Sequence, residues 1–214
     1  MNQLSNLGEV IRWRRGERLW DEGQGVKGLV VVRSGALELQ KTHSSGVLSL
    51  DLVVRGEIAG TEALVCDAKY GHSAVGVGYG SGTWVPEARL YAAMLDTPDL
   101  GAEIFRAHLA RCGRIATAFA DLEFAPVEAR VARLMLRLCD TIGLPDARGT
   151  FIPLRLYKVQ IARLTACRAE TVIRLLKRWR EREILLAQRE GFVVPDRGRV
   201  SALVDVEEEC SYAM

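Results

Sequence analysis

Between residues 10 and 86 the apolar positions form short runs that are separated by glycines. In the stretch VLSLDLVV, three leucines at alternate positions fall on one face of a strand, and Ser49 and Asp51 fall on the other. Glycine recurs at or between the ends of these runs, where an antiparallel barrel or sandwich needs its turns. The pattern therefore predicts a β-rich domain over residues 1–97.

The period changes to a helical one over residues 98–125, where apolar side chains recur at alternating steps of three and four, as in a coiled coil. This seam consists of Phe105, His108, Cys112, Ile115, Phe119 and Leu122. A second apolar seam beside it consists of Ile104, Leu109, Ala116 and Ala120. Because a helix with two apolar faces needs two partners, we expect one face to pack on the chain's own barrel and the other on the same helix of a second chain. A central helix in the core of a monomer is the alternative.

Residues 126–204 show the order of elements of a winged helix-turn-helix. Pro126 is disfavoured inside a helix but suits a first turn, so it starts a new amphipathic helix. After a polar loop, two short helices are predicted near 157–164 and 168–181, followed by a hairpin and an acidic tail over 205–214. The sequence thus predicts an α+β fold with an N-terminal antiparallel, jelly-roll-like β-barrel, a long dimerisation helix and a C-terminal winged helix-turn-helix.

Charge is spread unevenly along the chain, although the net charge is only +2. Residues 126–200 hold 16 Lys and Arg against 8 Asp and Glu, whereas residues 1–125 carry a net −2 and the last 14 residues a net −4. A near-neutral first half joined to a basic second half indicates a sensor joined to a nucleic-acid binder.

The segment TACRAETVIRLLKRW places a single carboxylate among several cations. On a helix, the side chains with spacing i, i+3, i+4 and i+7 face the core, namely Val172, Leu175, Leu176 and Trp179. Glu170, Ile173, Arg174 and Lys177 then project from the opposite face. A guanidinium can bond O6 and N7 of guanine, and a carboxylate, which phosphates repel, can accept from N4 of cytosine. Glu170 and Arg174 are therefore candidate base readers; a solvated salt bridge between them is the alternative.

Cysteines, apolar runs and motifs exclude several classes of protein. Five widely spaced cysteines fit neither a disulfide framework nor a zinc ribbon, so free thiols are expected. No apolar run is long enough to cross a bilayer, and the first residues lack the pattern of a signal peptide, so we expect a cytoplasmic protein with no membrane partner. No Ser-His-Asp order, phosphate-binding loop or HExxH motif occurs, so we expect no enzymatic activity.

One set of segments is distinctive in its order and separations: Arg15-Gly16-Glu17, Glu22-Gly23, Val30 through Gly35, Gly56 through Gly60, Phe124 through Ala132, Ile161-Ala162 and Ala169 through Leu176. Together they resemble the CRP/FNR transcription regulators, a family named for the cyclic AMP receptor protein and the fumarate-nitrate regulator. The resemblance covers nearly the whole chain. It implies a homodimer that binds double-stranded DNA in a sequence-specific way and works with RNA polymerase, more often as an activator than as a repressor.

The resemblance also assigns DNA contacts by position. Glu170 and Arg174 match the family's base readers. Backbone contacts and the rest of the DNA-facing surface fall at Tyr157, Lys158, Arg168, Ala169, Thr171 and Lys177. Ala166 stands where the family's turn glycine is usual, and Arg168 stands where its helix-capping serine is usual. These departures are expected to weaken the turn and remove a cap.

For the effector pocket, the resemblance points to Gly60, Thr61, Glu62, His72, Ser73, Ile115 and Ala116. Cyclic AMP binders of the family hold the cyclic phosphate with an Arg-Ser pair and adenine with a Thr-Ser pair; this chain has His72-Ser73 and Ile115-Ala116 at those places. A neutral histidine cannot replace the charge-assisted contact of an arginine with phosphate. We therefore expect no useful binding of cyclic AMP and no cofactor.

Other triggers are compatible with the sequence. Haem could be held by His43, His72 or His108, whereas an iron-sulfur cluster would need cysteines that the first four dozen residues lack. His108 and Cys112 are one helical turn apart on the predicted seam, where two copies could form a site of two histidines and two cysteines; packing is the simpler role, and no metal is expected. Cys167, at the start of a helix, is either a redox thiol or a small buried residue.

A rival function also follows from the charge pattern. The chain could be a small-molecule, haem or redox sensor module whose basic domain binds nucleic acid without sequence choice. Contacts to base edges separate the two functions, because phosphate contacts carry no sequence information.

Overall fold

The computed structural model of the chain describes residues 4, 6–65 and 67–205. Cys66, Cys210 and most of the predicted acidic tail lie outside the described residues. The described cysteines, Cys112, Cys139 and Cys167, are free thiols, as predicted. No described helix is both long and apolar enough to span a membrane.

Two compact units make up the chain, one over residues 1–115 and the other over residues 116–214. The strands of the first unit are β1 (Glu9–Trp13), β2 (Arg18–Trp20), β3 (Gly28–Ser34), β4 (Ala36–His43), β5 (Gly46–Val54), β6 (Ile58–Ala59), β7 (Ser73–Gly76) and β8 (Gly80–Pro86). They form two antiparallel sheets in the orders β1-β8-β3-β6 and β2-β7-β4-β5. The predicted β-rich domain is confirmed, but no ladder between the described strands closes the two sheets into one continuous barrel.

Alternate side chains of the two sheets fill the core of this unit. The core cluster includes Trp13 of β1, Val30 of β3 and Leu37 of β4. On β5 the face opposite the leucines is buried, since Ser49 is 9% exposed and Asp51 5%, whereas Leu48 on the leucine face is 46% exposed. A buried carboxylate needs a charged or hydrogen-bonding partner, and for Asp51 that partner comes from a helix.

Two helices follow the sheets, α1 (Glu87–Asp96) and α2 (Pro98–Phe124), and the division between the two units falls within α2, after Ile115. Leu100 and Ile104 of α2 are buried in a second core cluster with side chains of β3, β8 and α1. The predicted helix over 98–125 is therefore present, and one of its faces packs on the chain's own sheets.

The position of that buried face was predicted only in part. Ile104 is buried as expected, but Leu109, Ala116 and Ala120 are exposed. The prediction of the second seam as a buried face was therefore wrong beyond Ile104. The buried face continues to Arg111, which is 5% exposed. The spacing of hydrophobic residues cannot predict a buried arginine, because the burial of an arginine depends on partners in other elements.

The second unit contains the helices α3 (Val127–Ile142), α4 (Lys158–Leu164), α5 (Ala169–Glu181) and α6 (Arg197–Asp205). Its strands are β9 (Leu144–Asp146), β10 (Gly149–Ile152), β11 (Leu186–Ala187) and β12 (Phe192–Val194), in the sheet order β11-β12-β10-β9. The predicted helices and the β11–β12 hairpin are present. This order of elements is that of a winged helix-turn-helix.

The hairpin β9–β10 and the helix α6 are two elements that the sequence interpretation missed. The hairpin lies where a polar loop was predicted. Its turn is built from polar bonds, since the backbone N–H and the Nε–H of Arg148 both donate to Asp146 Oδ1 at 3.0 Å. Gly149 follows with a φ of +136°, and a Cβ there would stand 2.3 Å from the Val194 carbonyl oxygen. A short polar stretch can therefore form a ladder that hydrophobic alternation does not indicate.

Candidate DNA-binding surface and effector pocket

A short turn joins α4 to α5 and sets the direction of the second helix. The Thr165 hydroxyl donates to the Ile161 carbonyl at 2.7 Å, and the Cys167 amide donates to the Ala162 carbonyl at 2.9 Å. Between them, Ala166 adopts a φ of 45°, in the left-handed region that glycine occupies without strain. A side chain in this region costs about 1–2 kcal/mol. The turn that the sequence predicts to be weak therefore contains a strained residue.

Cys167 is half-buried in this turn. Its Sγ lies 3.3 Å from Thr165 Oγ1, so the thiol contributes to the local hydrogen bonds of the turn. A redox role for Cys167 stays a prediction.

The two faces of α5 differ in the way the sequence predicts. The fully buried side chains of the helix are Val172, Leu175 and Trp179. Leu176, also expected in the core, is half-buried. Glu170, Arg174 and Lys177 are exposed on the opposite face, together with Ile173, which is 47% exposed. The exposed face thus combines a carboxylate, two cations and an apolar group.

The candidate base readers are not neutralised by the chain itself. Within the described part of the chain, neither Glu170 nor Arg174 has a hydrogen-bond or ion-pair partner, so the alternative salt bridge between them is not formed. Lys177 Nζ lies 4.0 Å from Glu181 Oε1, and both side chains are exposed. A pair of this kind contributes only a few tenths of a kcal/mol, about 0.2–0.5. These groups are therefore available to a partner molecule.

The remaining predicted DNA contacts flank the same surface. Tyr157 precedes α4, where its amide donates to Gln160 Oε1 at 2.9 Å, and the Arg155 guanidinium lies 5.1 Å from the centre of its ring. Lys158 is exposed in the first turn of α4. Arg168 is exposed at the start of α5 and gives the helix no side-chain cap, as expected from the missing serine. The last two positions, Ala169 and Thr171, are half-buried in the first turn of α5.

Glu128 of α3 is a positioning residue that the sequence interpretation missed. Its Oε1 accepts the Trp179 indole N–H at 2.7 Å, and its Oε2 accepts from Arg178 Nη2 at 2.7 Å. One carboxylate thus holds two consecutive residues of α5 against α3. The sequence signal that could have indicated such an acceptor was a tryptophan on the core face of a helix, because a buried indole N–H usually finds a hydrogen-bond acceptor.

Thr61 is at the centre of the predicted effector pocket and is fully engaged by α2. It follows Gly60, whose φ of +81° is in the glycine region, and it is 3% exposed. Its Oγ1 accepts from Arg111 Nη1 at 3.3 Å and lies 2.9 Å from His108 Nδ1. Side chains of the long helix therefore fill the space next to Thr61.

Arg111 is held in place by the sheets. Its Nη2 donates to the Ile58 carbonyl, and its Nε lies 3.8 Å from Asp51 Oδ2. The same carboxylate oxygen accepts from Arg114 Nη2 at 2.7 Å, and Arg114 also lies 3.5 Å from Glu57 Oε1. Burial lowers the pKa of Arg111, against the attraction of Asp51, but arginine stays charged at any physiological pH. The result is a buried charge network within the first unit.

The remaining polar residues of the predicted pocket are engaged only in part, since His72 Nε2 and Glu62 Oε2 are buried without a hydrogen-bond partner among the described residues. His72 Nδ1 lies 3.3 Å from Glu62 Oε1, and burial lowers the pKa of His72 below its usual value, although Glu62 opposes the shift. Ser73 Oγ accepts the Glu22 amide N–H at 3.0 Å. Ile115 is half-buried and Ala116 is exposed. His43, the third histidine considered for haem, is exposed, with Nδ1 2.7 Å from Ser45 Oγ.

A cleft of about 390 Å³ opens at another place in the first unit, beside Trp20, Tyr70 and Trp84. Trp20 and Tyr70 stack with their ring centres 4.4 Å apart. None of the predicted pocket residues lines this cleft.

The predicted seam of α2 is largely uncovered. Phe105 is 52% exposed, Phe119 76% and Leu122 46%, and Cys112 is exposed as well. His108 and Ile115 are half-buried. Large apolar side chains recurring at coiled-coil spacing with this exposure indicate a surface that a partner covers.

Comparisons with solved structures support the fold. FixK2 from Bradyrhizobium japonicum is similar with a TM-score of 0.79 and 18% identity, over 92% of this chain and 96% of that chain. TTHB099, a transcriptional regulator of the CRP family from Thermus thermophilus, gives a TM-score of 0.73 and 20% identity, over 91% and 96%. CLP, a c-di-GMP responsive global regulator from Xanthomonas campestris, gives a TM-score of 0.70 and 19% identity, over 91% and 97%. At these identities the likeness concerns the fold.

Family models match both units. Residues 10–94 match the model of the cyclic nucleotide-binding domain, and residues 129–203 match that of the Crp-like helix-turn-helix domain. A search of the curated proteins finds no match. With a cyclic nucleotide-binding-like domain followed by a Crp-like helix-turn-helix, the chain belongs to the CRP/FNR family of transcription regulators.

Proposed function

We propose that this regulator binds a two-fold symmetric DNA operator as a homodimer, reads its sequence with α5, and activates transcription without cyclic AMP. The observation that carries the proposal is the exposed face of α5. There Glu170 and Arg174 stand one helical turn apart and have no partner among the described residues.

The chemistry of this face fits the edges of base pairs. The Arg174 fork can bond O6 and N7 of guanine, and the Glu170 carboxylate can accept from N4 of cytosine. Ile173 adds an apolar surface that suits the methyl group of thymine, a role that the sequence interpretation did not assign. Lys158, Lys177 and Arg168, all exposed, can bind phosphates on either side and fix the position of the helix.

The homodimer is supported by the seam of α2. Phe105, Phe119 and Leu122 expose large apolar surfaces that a second copy of the same helix would cover. Two identical subunits related by a two-fold axis would present two copies of α5, so the operator would be a palindrome with half-sites about one helical turn apart.

Independence from cyclic AMP is supported by the contents of the pocket. Burial lowers the pKa of His72, so the neutral form is favoured for the residue at the place of the family's phosphate-binding arginine. The nearby Arg111 already donates to Thr61 and to the Ile58 carbonyl and lies beside Asp51. A calorimetric titration with cyclic AMP should therefore give no saturable heat, and tight binding would overturn this part of the proposal.

Selection of bound DNA from a random pool, with the purified chain, tests the main proposal. We expect a palindromic sequence to be enriched and its affinity to exceed that of scrambled DNA by about 10³-fold or more. A steep dependence on salt with no enriched sequence would instead support the rival function, a basic domain without sequence choice. Transcription with RNA polymerase from a promoter carrying the selected operator then gives the sign of regulation: more transcript supports activation, and less transcript contradicts it.

A further inference from the structure

Two potential metal ligands stand side by side on the exposed seam of α2. Cys112 Sγ lies 3.5 Å from His108 Nε2. A tetrahedral zinc ion with Zn–N of about 2.0–2.1 Å and Zn–S of about 2.3 Å holds its nitrogen and sulfur ligands about 3.5 Å apart. The two atoms therefore already have the separation that a shared ion requires.

The other nitrogen of the imidazole has the environment of a ligand histidine. His108 Nδ1 lies 2.9 Å from Thr61 Oγ1. A metal-bound histidine almost always donates its second ring N–H to an oxygen acceptor, which fixes both the tautomer and the orientation of the ring. Thr61 can accept this N–H in addition to that of Arg111, because a hydroxyl oxygen has two lone pairs. With Nδ1 protonated, the lone pair of Nε2 is free for a metal.

One chain supplies only half of a tetrahedral site. Within the described residues there is no group of three or more side chains that could hold a metal ion. However, His108 and Cys112 occupy consecutive positions of the coiled-coil seam, and each such position faces its own copy across a two-fold axis. A second chain would therefore bring the same nitrogen and sulfur to the opposite side.

We propose that the seam of the dimer binds one zinc-type divalent cation per two chains, through His108 and Cys112 of each chain. This inference rests on the homodimer of the proposed function. Binding requires two thiolates and two neutral imidazoles, so each ion displaces the two thiol protons and binding weakens at low pH. Since His108 also contacts Thr61, the cation would connect the dimer seam to the polar network of the sensor unit.

Cobalt titration tests the site directly. The full chain, prepared without a histidine tag and stripped with a chelator, is titrated with Co²⁺ under reducing conditions. We expect visible d–d bands and a near-ultraviolet thiolate-to-cobalt band that saturate at one ion per two chains and are displaced by Zn²⁺. Cys112→Ser and His108→Gln should each remove the thiolate band or weaken binding strongly. Cys167→Ser is the matched control, because it removes another free thiol outside the seam, and it should leave the titration unchanged.

Thr61 provides a test of positioning. Thr61→Val removes the acceptor of the imidazole N–H and should weaken Co²⁺ binding about 10- to 100-fold. Thr61→Ser keeps a hydroxyl and should restore binding, which a merely structural role of the methyl group would not predict.

Sedimentation and operator binding, measured on the same samples, separate this inference from the proposed function. A dimer that binds its operator but shows no thiolate band with Co²⁺ overturns the metal site alone. Saturation at one ion per chain, or an unchanged titration with Cys112→Ser, also overturns it. A chain that stays monomeric at every concentration overturns the homodimer, and with it the shared site.

Discussion

The DNA-facing surface of α5 and the predicted effector pocket are both polar, but their polar groups differ in burial and in pairing. On α5, Glu170 and Arg174 are exposed and unpaired among the described residues. In the pocket, Asp51, Thr61 and Arg111 are buried and bonded to other groups of the sensor unit. An exposed ion is stabilised by water until a partner replaces the water, whereas a buried ion is tolerated only when the protein itself neutralises it. The difference indicates that the charged face of α5 is open to an external partner, whereas the charges of Asp51 and Arg111 are paired within the sensor unit.

Removing the carboxylate of Asp51 is the most severe test of the buried charge network. The side chains of Asp51 and Arg111 are 4% and 6% exposed, so Asp51→Ala leaves a buried guanidinium without its counter-ion. Loss of one partner of a buried pair costs about 3–5 kcal/mol, and we expect the free energy of unfolding in urea to fall by that amount.

A matched control for Asp51 is the surface pair of Glu9 and Arg89, whose side chains are 82% and 58% exposed. Glu9→Ala should change the free energy of unfolding by less than about 1 kcal/mol. If Asp51→Ala were as mild as Glu9→Ala, the charge network would not be a closed structural unit, and the contrast with α5 would fail.

The next largest effect is expected at Glu128, which links α5 to the rest of its unit. Glu128→Ala leaves the indole N–H of Trp179, a fully buried side chain, without its acceptor. Because this is a hydrogen bond to a charged group, the unfolding free energy should fall by about 1.5–3 kcal/mol. Operator affinity should fall as well, since α5 loses a contact that fixes its orientation.

Two variants separate anchoring from general destabilisation. Glu128→Gln keeps an acceptor for Trp179 and should recover most of the operator affinity. Asp140→Ala breaks the exposed pair of Asp140 with Arg197, which joins α3 to α6 and does not touch α5. It should leave the preference for the operator over scrambled DNA unchanged. A loss of this preference with Asp140→Ala equal to that with Glu128→Ala would contradict the anchoring role.

Elements that repeat a simple period could be predicted from the sequence, and those that depend on distant partners could not. The apolar stripe of α5 and the length of α2 follow from spacing alone. The buried side of α2 was placed incorrectly because Arg111 is stabilised by Asp51, which is 60 positions earlier in the chain. Glu128 was missed for the same reason, as its partners lie 50 and 51 positions later.

The exposed face of α5 is tested by comparing two of its cations on operator DNA. Arg174→Ala should cost about 1–3 kcal/mol on the operator and should relax the preference at one base pair, because a bidentate contact to a base is lost. Lys177→Ala should weaken binding to all sequences about equally and reduce the slope of log affinity against log salt by about one. Binding is measured on the selected operator, on its single-base variants and on scrambled DNA. Equal losses on every sequence for both variants would contradict base reading by Arg174.

The smallest effect concerns the turn that aims α5. At a φ of 45°, Ala166 carries a cost of about 1–2 kcal/mol that glycine would avoid, while glycine adds about 0.4–1 kcal/mol of backbone entropy to the unfolded chain. Ala166→Gly should therefore stabilise the chain by up to about 1.6 kcal/mol in urea denaturation. Ala169 is the matched control, because it lies in the first turn of the α5 helix, where glycine should destabilise by up to about 1 kcal/mol. The two glycine variants should change the free energy of unfolding in opposite directions only if the turn is strained and the helix is not. If Ala166→Gly also destabilises the chain, the prediction of a strained turn is wrong, because the exposed side chain of Ala166 has little packing to lose.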